Sequence, residues 1–195
     1  MMAGTTPAIA PASRSPLRAR LVLATLSACG LAALAWASFV RPTAHVVYNP
    51  SDSVAVGWYR IEPIHQAADS PPRPVSVGSI VLVWLPADAA ALAAQRGYLP
   101  SHIPLLKRVG AVAPQHVCIV GSEVRIDGVP VAAVLRTDHM GRPLPAWLHC
   151  RVLADGELFL LSTTNPASFD SRYFGPIRAS ALIGTAQPIY LEKRP

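Results

Sequence analysis

A mainly β domain with little helix, carried behind one apolar N-terminal helix, is the fold class this sequence predicts. Three observations carry the expectation. Residues 21 to 40, LVLATLSACGLAALAWASFV, hold no charged side chain. Beyond Arg41, five short runs rich in Val, Ile and Leu are bounded by Gly, Pro or Asp. Asp127-Gly128 lies between Val-Arg-Ile and Val-Pro-Val, and glycine supplies the positive φ that a two-residue hairpin turn needs.

Taken in order, residues 1–20 are rich in Ala, Pro, Ser and Thr and are expected to form an unstructured cytoplasmic tail. The twenty uncharged, largely apolar residues 21–40 match the thickness of a bilayer core and are expected to span it. Arg14, Arg18 and Arg20 precede the span, which keeps the N-terminus cytoplasmic and exports residues 41–195. Two readings stand side by side: a retained signal-anchor, or a cleaved signal peptide with Ala35-Trp36-Ala37 as its small-x-small site. Both deliver the remainder to the same compartment.

The exported part, 155 residues, is the size of one domain with an adequate core. Its strands are expected at Val75–Trp84, Val117–Val120, Val124–Val134, Leu158–Leu161 and Ile183–Tyr190. One helix is expected over Ala87–Arg96, with Asp88 in the first turn and Gly97 as the stop. The Pro-rich segments 63–76 and 137–147 are expected to be irregular.

Composition narrows function. With 51% hydrophobic and 14% charged residues the chain is not a disordered solvating segment. The formal charge is +6, but Arg14, Arg18, Arg20 and Arg41 lie in the first 41 positions, where there is no acid. Without those four, thirteen basic residues face eleven acidic ones, so the exported domain is nearly neutral. No nucleic-acid partner is expected of such a surface.

Fifteen of the seventeen basic residues are Arg, and the two Lys are Lys107 and the C-terminal Lys193. Lys107 lies in Pro104-Leu-Leu-Lys-Arg-Val-Gly-Ala-Val112. An ammonium in such company either snorkels outward from an edge strand or is buried with a lowered pKa, and only the second makes it a base. Hydroxyls to pair with it occur as Ser51 and Ser53 in Asn49-Pro-Ser-Asp-Ser-Val-Ala-Val-Gly-Trp-Tyr59, which on its own reads as a turn-rich linker. A third segment, Ser168-Phe-Asp-Ser-Arg-Tyr-Phe-Gly-Pro176, reads by itself as a loop pinned by an Asp170–Arg172 ion pair.

Together, the three segments resemble the Ser/Lys signal peptidase superfamily, and within it the TraF-type peptidases of conjugative transfer systems. Asn49, Ser51, Ser53, Gly57 and Tyr59 occupy the positions of the serine motif, Lys107-Arg108-Val109 those of the lysine strand, and Ser168 to Pro176 those of the late box. Asp138-x-x-Gly141-Arg-Pro-Leu-Pro-x-Trp147 is similar to the segment this subfamily carries between them. Two positions depart from the pattern: Ala55 stands where Pro is usual, and Pro114-Gln115 where Gly-Asp commonly follows the lysine strand.

The resemblance implies a signal peptidase-like β-barrel or sheet domain in which Ser53 is the nucleophile and Lys107 its general base. It also implies Ser168 as orienter of the amine and Ser51, with the Ser53 backbone N–H, as the oxyanion hole. Asp170 and Arg172 support the box. At the ordinary pKa of ~10.4, roughly one lysine in 2,500 is neutral at pH 7, so the mechanism demands burial of Lys107. No cofactor and no metal are expected.

Cys29 lies inside the apolar span, which leaves Cys118 and Cys150 as an even pair in an exported domain. A disulfide, two buried thiols, and a metal set with His116 and His149 are the three readings, and the disulfide suits the compartment. Function is expected to be that of an endopeptidase in the inner membrane, single-pass, with its catalytic domain on the periplasmic side. Its partners would be the lipid bilayer and a membrane-tethered, prepilin-like preprotein. An inactive binding component of a transfer apparatus and a general type I signal peptidase are the alternatives. Twelve residues separate Val40 from Ser53, at most about 40 Å when extended, so Val54, Val56, Trp58 and Tyr59 are expected at the headgroup level.

Overall fold

The structure, a computed structural model, describes residues 16–39, 45–64 and 75–193. It divides into two units, residues 1–43 and 44–195. The first holds a single described element, helix α1 at Pro16–Phe39, with proline at the first helical position where its missing N–H is no loss. Its window Leu17–Trp36, 20 residues of mean hydropathy 1.6, is long and apolar enough to cross a membrane. The helix starts earlier than the apolar run because Arg18 and Arg20 are good helix formers and extend it. Residues 1–15 of the expected tail, and Val40, lie outside the described residues.

The second unit is mainly β, as expected. Its elements are β1 (His45–Asn49), β2 (Gly57–Pro63), β3 (Ile80–Val83), α2 (Ala87–Gln95), β4 (Leu105–Val112), β5 (His116–Val120), β6 (Glu123–Ile126) and β7 (Val129–Ala133). After these come β8 (Cys150–Val152), β9 (Glu157–Leu160), α3 (Ser171–Phe174), β10 (Ile177–Arg178) and β11 (Leu182–Leu191). A seven-stranded sheet runs β1-β2-β11-β3-β4-β9-β10, and a four-stranded sheet runs β7-β6-β5-β8. Every pairing is antiparallel.

Three apolar clusters hold the sheets. Tyr59, Ile61, Leu82 and Leu106 form one, Val81, Val83, Val109 and Leu160 a second, and Val117, Val124, Phe159 and Leu161 a third beneath the smaller sheet. The Asp127-Gly128 turn has φ of 50° and 83°, the left-handed pair that closes a two-residue hairpin between β6 and β7.

Two expectations change. Val75–Ser79 is not strand: Ser79 N–H donates to Ser76 O and Gly78 N–H to Val109 O, so the chain turns before β3 begins. β1, β2 and β8 were hidden in sequence, because β1 and β8 are short strands with exposed residues and β2 begins inside the serine segment. Residues 65–74 of the expected irregular segment 63–76 lie outside the described residues, and residues 137–147 carry only one isolated bridge, Thr137 to Pro143.

Candidate active site

The serine loop joins β1 to β2 and is held from within. Asn49, at the end of β1, is buried and its Nδ2 donates to the carbonyls of Ser51, Val54 and Ala55 at 2.8, 3.2 and 3.1 Å. Tyr59 Oη donates to the same Ala55 carbonyl at 2.6 Å. Ala55, where the pattern has proline, is thus tied through its carbonyl to both Asn49 and Tyr59. Gly57 is required where β2 starts: a Cβ there would collide with the carbonyl of Tyr190 on β11. The apolar side chains of the loop turn inward to the core. Val54, Val56 and Tyr59 are buried, so of the four residues expected at a headgroup level only Trp58 is exposed, at 46%.

Within the loop Ser51 Oγ donates to Asn49 Oδ1 at 3.0 Å and lies 2.9 Å from Ser53 Oγ. With the Ser51 hydrogen on Asn49, the Ser53 hydroxyl is the donor of that pair. Ser53 itself is buried.

Lys107 lies on β4 opposite Val81 of β3, and the same strand pairs with β9 from Val109 onward, so β4 is not an edge strand of the sheet. Its residue is 2% exposed and its Nζ donates to Ser168 Oγ. Burial lowers its pKa to about 8, with the Asp170 carboxylate opposing that shift and the Arg172 guanidinium adding to it. At pH 7 about one amine in ten is therefore neutral, several hundredfold more than for a solvated lysine.

Ser168 is held by the buried pair beside it. Arg172, fully buried, donates from Nε and Nη2 to the two oxygens of Asp170 at 2.8 Å each, from Nη2 to Ser168 O at 3.1 Å and from Nη1 to Ala133 O at 2.7 Å. Asp170 also accepts from the backbone N–H of Ser162 and of Arg172 and caps α3. A carboxylate with both oxygens so committed is an anchor for the loop.

Ser51, Ser53, Lys107 and Ser168 all line one cavity of about 580 Å³. The rest of its wall is largely apolar, including Leu82, Leu106, Leu135, Phe169 and Tyr173. Sequence reasoning missed the clasp on its far wall. Tyr98 Oη and Arg142 Nε both donate to Asp138 Oδ2, the second at 2.7 Å, tying the segment after β7 to the chain after α2. The signal was Asp138 and Arg142 within the segment already matched to the subfamily.

The turn at Pro114-Gln115 is equally secure. Gln115 Oε1 accepts from Val112 N–H at 3.1 Å, and its Nε2 donates to Asp127 Oδ2 at 2.9 Å. Cys118 and Cys150, opposite each other on β5 and β8, are joined as a disulfide. The His149 ring rests on Trp147.

Residues 18–191 match the family described as signal peptidase, peptidase S26. The chain is similar to a probable conjugal transfer protein TraF of Sinorhizobium fredii, 36% identical over 183 residues that make up 89% of each chain. It is 38% identical over 151 residues to a conjugal transfer protein TraF of Agrobacterium fabrum, covering 73% of this chain and 80% of the relative. A plasmid transfer protein TraF of Escherichia coli is 30% identical over 184 residues, 89% of this chain and 94% of that one. Among solved structures, a signal peptidase I of Enterococcus faecalis aligns with 60% of this chain and 98% of its own at 19% identity, with a TM-score of 0.36.

Proposed function

This chain belongs to the signal peptidase family, peptidase S26, and from that membership we propose that it is a membrane-anchored serine endopeptidase working through Ser53 and Lys107. The buried, hydrogen-bonded Lys107 in a cavity that also presents Ser53 is the observation that carries the reading.

Ser53 Oγ attacks the scissile carbonyl as neutral Lys107 accepts its proton. Ser168 holds the amine by the bond it already makes. The developing oxyanion takes hydrogen bonds from the Ser53 backbone N–H and from Ser51, whose hydroxyl swings its hydrogen off Asn49 Oδ1. Protonated Lys107 then returns the proton to the leaving amine, and water resolves the acyl-enzyme by the reverse path.

The substrate is a membrane-tethered preprotein, a prepilin of a conjugative transfer system. Its class is supported by the names of the relatives, which are conjugal and plasmid transfer proteins. Helix α1 serves as a single-pass anchor in the inner membrane, with the peptidase domain periplasmic and the bilayer as a partner. The near-neutral domain has no nucleic-acid role.

Co-expression with the prepilin of the same transfer system tests the reading. Wild type is expected to cleave it, and Ser53→Ala or Lys107→Ala to abolish cleavage while the folded protein stays in the membrane. Full processing by either variant overturns the dyad. Absence of cleavage by wild type identifies a binding component instead, and equal cleavage of general secretory preproteins identifies a housekeeping enzyme. A reporter fused after Pro195 is expected to be active only on the exported side.

A further inference from the structure

Away from the cleft, β5 and β8 carry a second group of reactive side chains. Cys118 and Cys150 are joined across the strands, Cys118 buried and Cys150 exposed. His116, two residues before Cys118 and so on the same face of β5, holds Nδ1 3.6 Å from Cys118 Sγ and Nε2 3.7 Å from Cys150 Sγ. An imidazole against both sulfurs is no requirement of a passive staple. We propose that Cys118–Cys150 is an exchange site for a dithiol partner, with His116 as its proton donor and the peptidase loop as its readout.

Exposure fixes the direction of attack. A thiolate of the dithiol partner attacks Cys150 Sγ, the S–S bond breaks, and Cys118 Sγ departs with the electron pair. Protonated His116 hands its proton to that leaving thiolate, which lies in the sheet away from water. The partner's second thiol, giving its proton to the now neutral His116, displaces Cys150 from the mixed disulfide, and the Cys150 thiolate takes up a proton from water. Two electrons and two protons have then passed to this chain, and the partner leaves as a disulfide.

The coupling to the cleft is a short run of contacts. His149, next to Cys150, accepts the Ile119 N–H at 3.0 Å. Trp147 N–H donates to Arg172 O at 2.9 Å, and the Trp147 ring packs so closely on Gly175 that a Cβ there would lie 2.7 Å from it. Arg172 in turn holds Ser168 O, and Ser168 holds Lys107. Opening the disulfide frees β8 and with it the strand end that seats Trp147 against the Ser168 box.

The peptidase arm of the test rests on the Ser–Lys reading, and the exchange arm does not. Full-length protein in detergent is treated with dithiothreitol, and free thiols are counted by mass-tagging over time. Reduction of His116→Gln is expected to be about tenfold slower than wild type, because the leaving thiolate loses its proton donor. Amide exchange at Trp147 is expected to quicken on reduction, and to be fast in Cys118→Ala/Cys150→Ala whatever the reductant. Reduced wild type is expected to cleave prepilin several-fold more slowly at unchanged KM and to recover on reoxidation. Equal reduction rates for wild type and His116→Gln overturn the exchange site. Trp147 amide exchange indifferent to reduction overturns the coupling, even if the chain cleaves nothing.

Discussion

Lys107 Nζ donates to Ser168 Oγ, while Ser53 Oγ is paired with Ser51 Oγ 2.9 Å away. Lys107 is thus oriented by the late box and Ser53 by the serine loop, two segments more than a hundred positions apart, which on the proposed reading hold the base and the nucleophile. Ser168→Ala is expected to leave the amine without its acceptor and free to rotate in the cavity. It should lower kcat about a hundredfold, within the usual worth of a positioned proton-transfer group, and leave KM within about twofold. Steady-state kinetics on a prepilin substrate checks the split, and a change confined to KM would sink the assignment.

Activity should follow the neutral fraction of Lys107. Its pKa of about 8 predicts that kcat/KM rises close to tenfold per pH unit below pH 8 and levels above it. Lys107→Arg keeps the charge and hydrogen-bonding capacity, yet it should be as inactive as Lys107→Ala, because a guanidinium does not give up its proton. A flat pH profile between pH 6 and 8 would remove lysine from the role of base.

Burial of the same amine weakens the fold at neutral pH. Its folded pKa, about 8, lies below the value of 10.5 for a solvated lysine, so between those values the unfolded chain binds more protons and stability rises with pH. Below pH 8 both states are protonated and the full penalty, about 3 kcal/mol, is present. Lys107→Met is therefore expected to be inactive and more stable by about 2 kcal/mol at pH 7, after about 1 kcal/mol for the lost bond to Ser168. Urea unfolding at pH 7 and pH 10.5 checks the sign, since the advantage should disappear at the higher pH.

Asp170 and Arg172 form a buried pair whose loss strands a charge. Asp170→Asn is expected to destabilise by about 3 to 5 kcal/mol and Arg172→Lys, which keeps the charge but loses most of its hydrogen bonds, by about 2 to 3 kcal/mol, with a fall in Tm on the order of 10 °C. Lys cannot replace Arg172, which donates at once to Asp170, Ser168 O and Ala133 O in a planar fork. Thermal unfolding of the variants measures the loss, and a Tm within about 2 °C of wild type would show that the pair is dispensable.

The fold class was legible because the apolar runs are short and punctuated, and the Asp127-Gly128 turn because its φ signs leave few residues able to occupy it. Helix α2 was legible for the same local reason, an alanine-rich stretch with Gly97 after it. What composition alone left undecided was the environment of Lys107. Leu-Leu-Lys-Arg-Val fits an edge strand or a central one, and only the packing of the folded sheet, with Lys107 opposite Val81 and nearly inaccessible, decides for burial. Alternation misled at Trp58-Tyr59 too, where four apolar side chains looked like one surface but β2 turns Tyr59 into the core and leaves Trp58 outside. The Tyr98–Asp138 clasp spans forty positions and no local pattern announces it.

That correction reshapes the expectation about where substrate is met. Trp58 no longer stands with Val54, Val56 and Tyr59; it lies in register with Tyr48 on β1 and Tyr190 on β11, and all three are exposed on one face. Tyr48 and Trp58 have ring centroids 5.1 Å apart, and Arg60 lies on the same face two positions along β2. Aromatic rings with polar edges beside an arginine are the side chains that settle at a headgroup layer. Twelve residues separate Val40 from Ser53, about 40 Å at most when extended, and on the proposed reading the apolar segment anchors the chain in a bilayer. A cleavage site held in the same bilayer is then presented at a high effective concentration, whereas a free peptide must be captured from solution. Full-length protein in vesicles is expected to cleave a vesicle-embedded prepilin at least about tenfold faster than the same cleavage sequence as a soluble peptide at matched concentration. Trp58→Ser/Tyr190→Ser should reduce the first rate and leave the second unchanged, since neither residue lines the cavity. Equal rates on the two substrates would show that recognition ends at the cleft and that the aromatic face has another use.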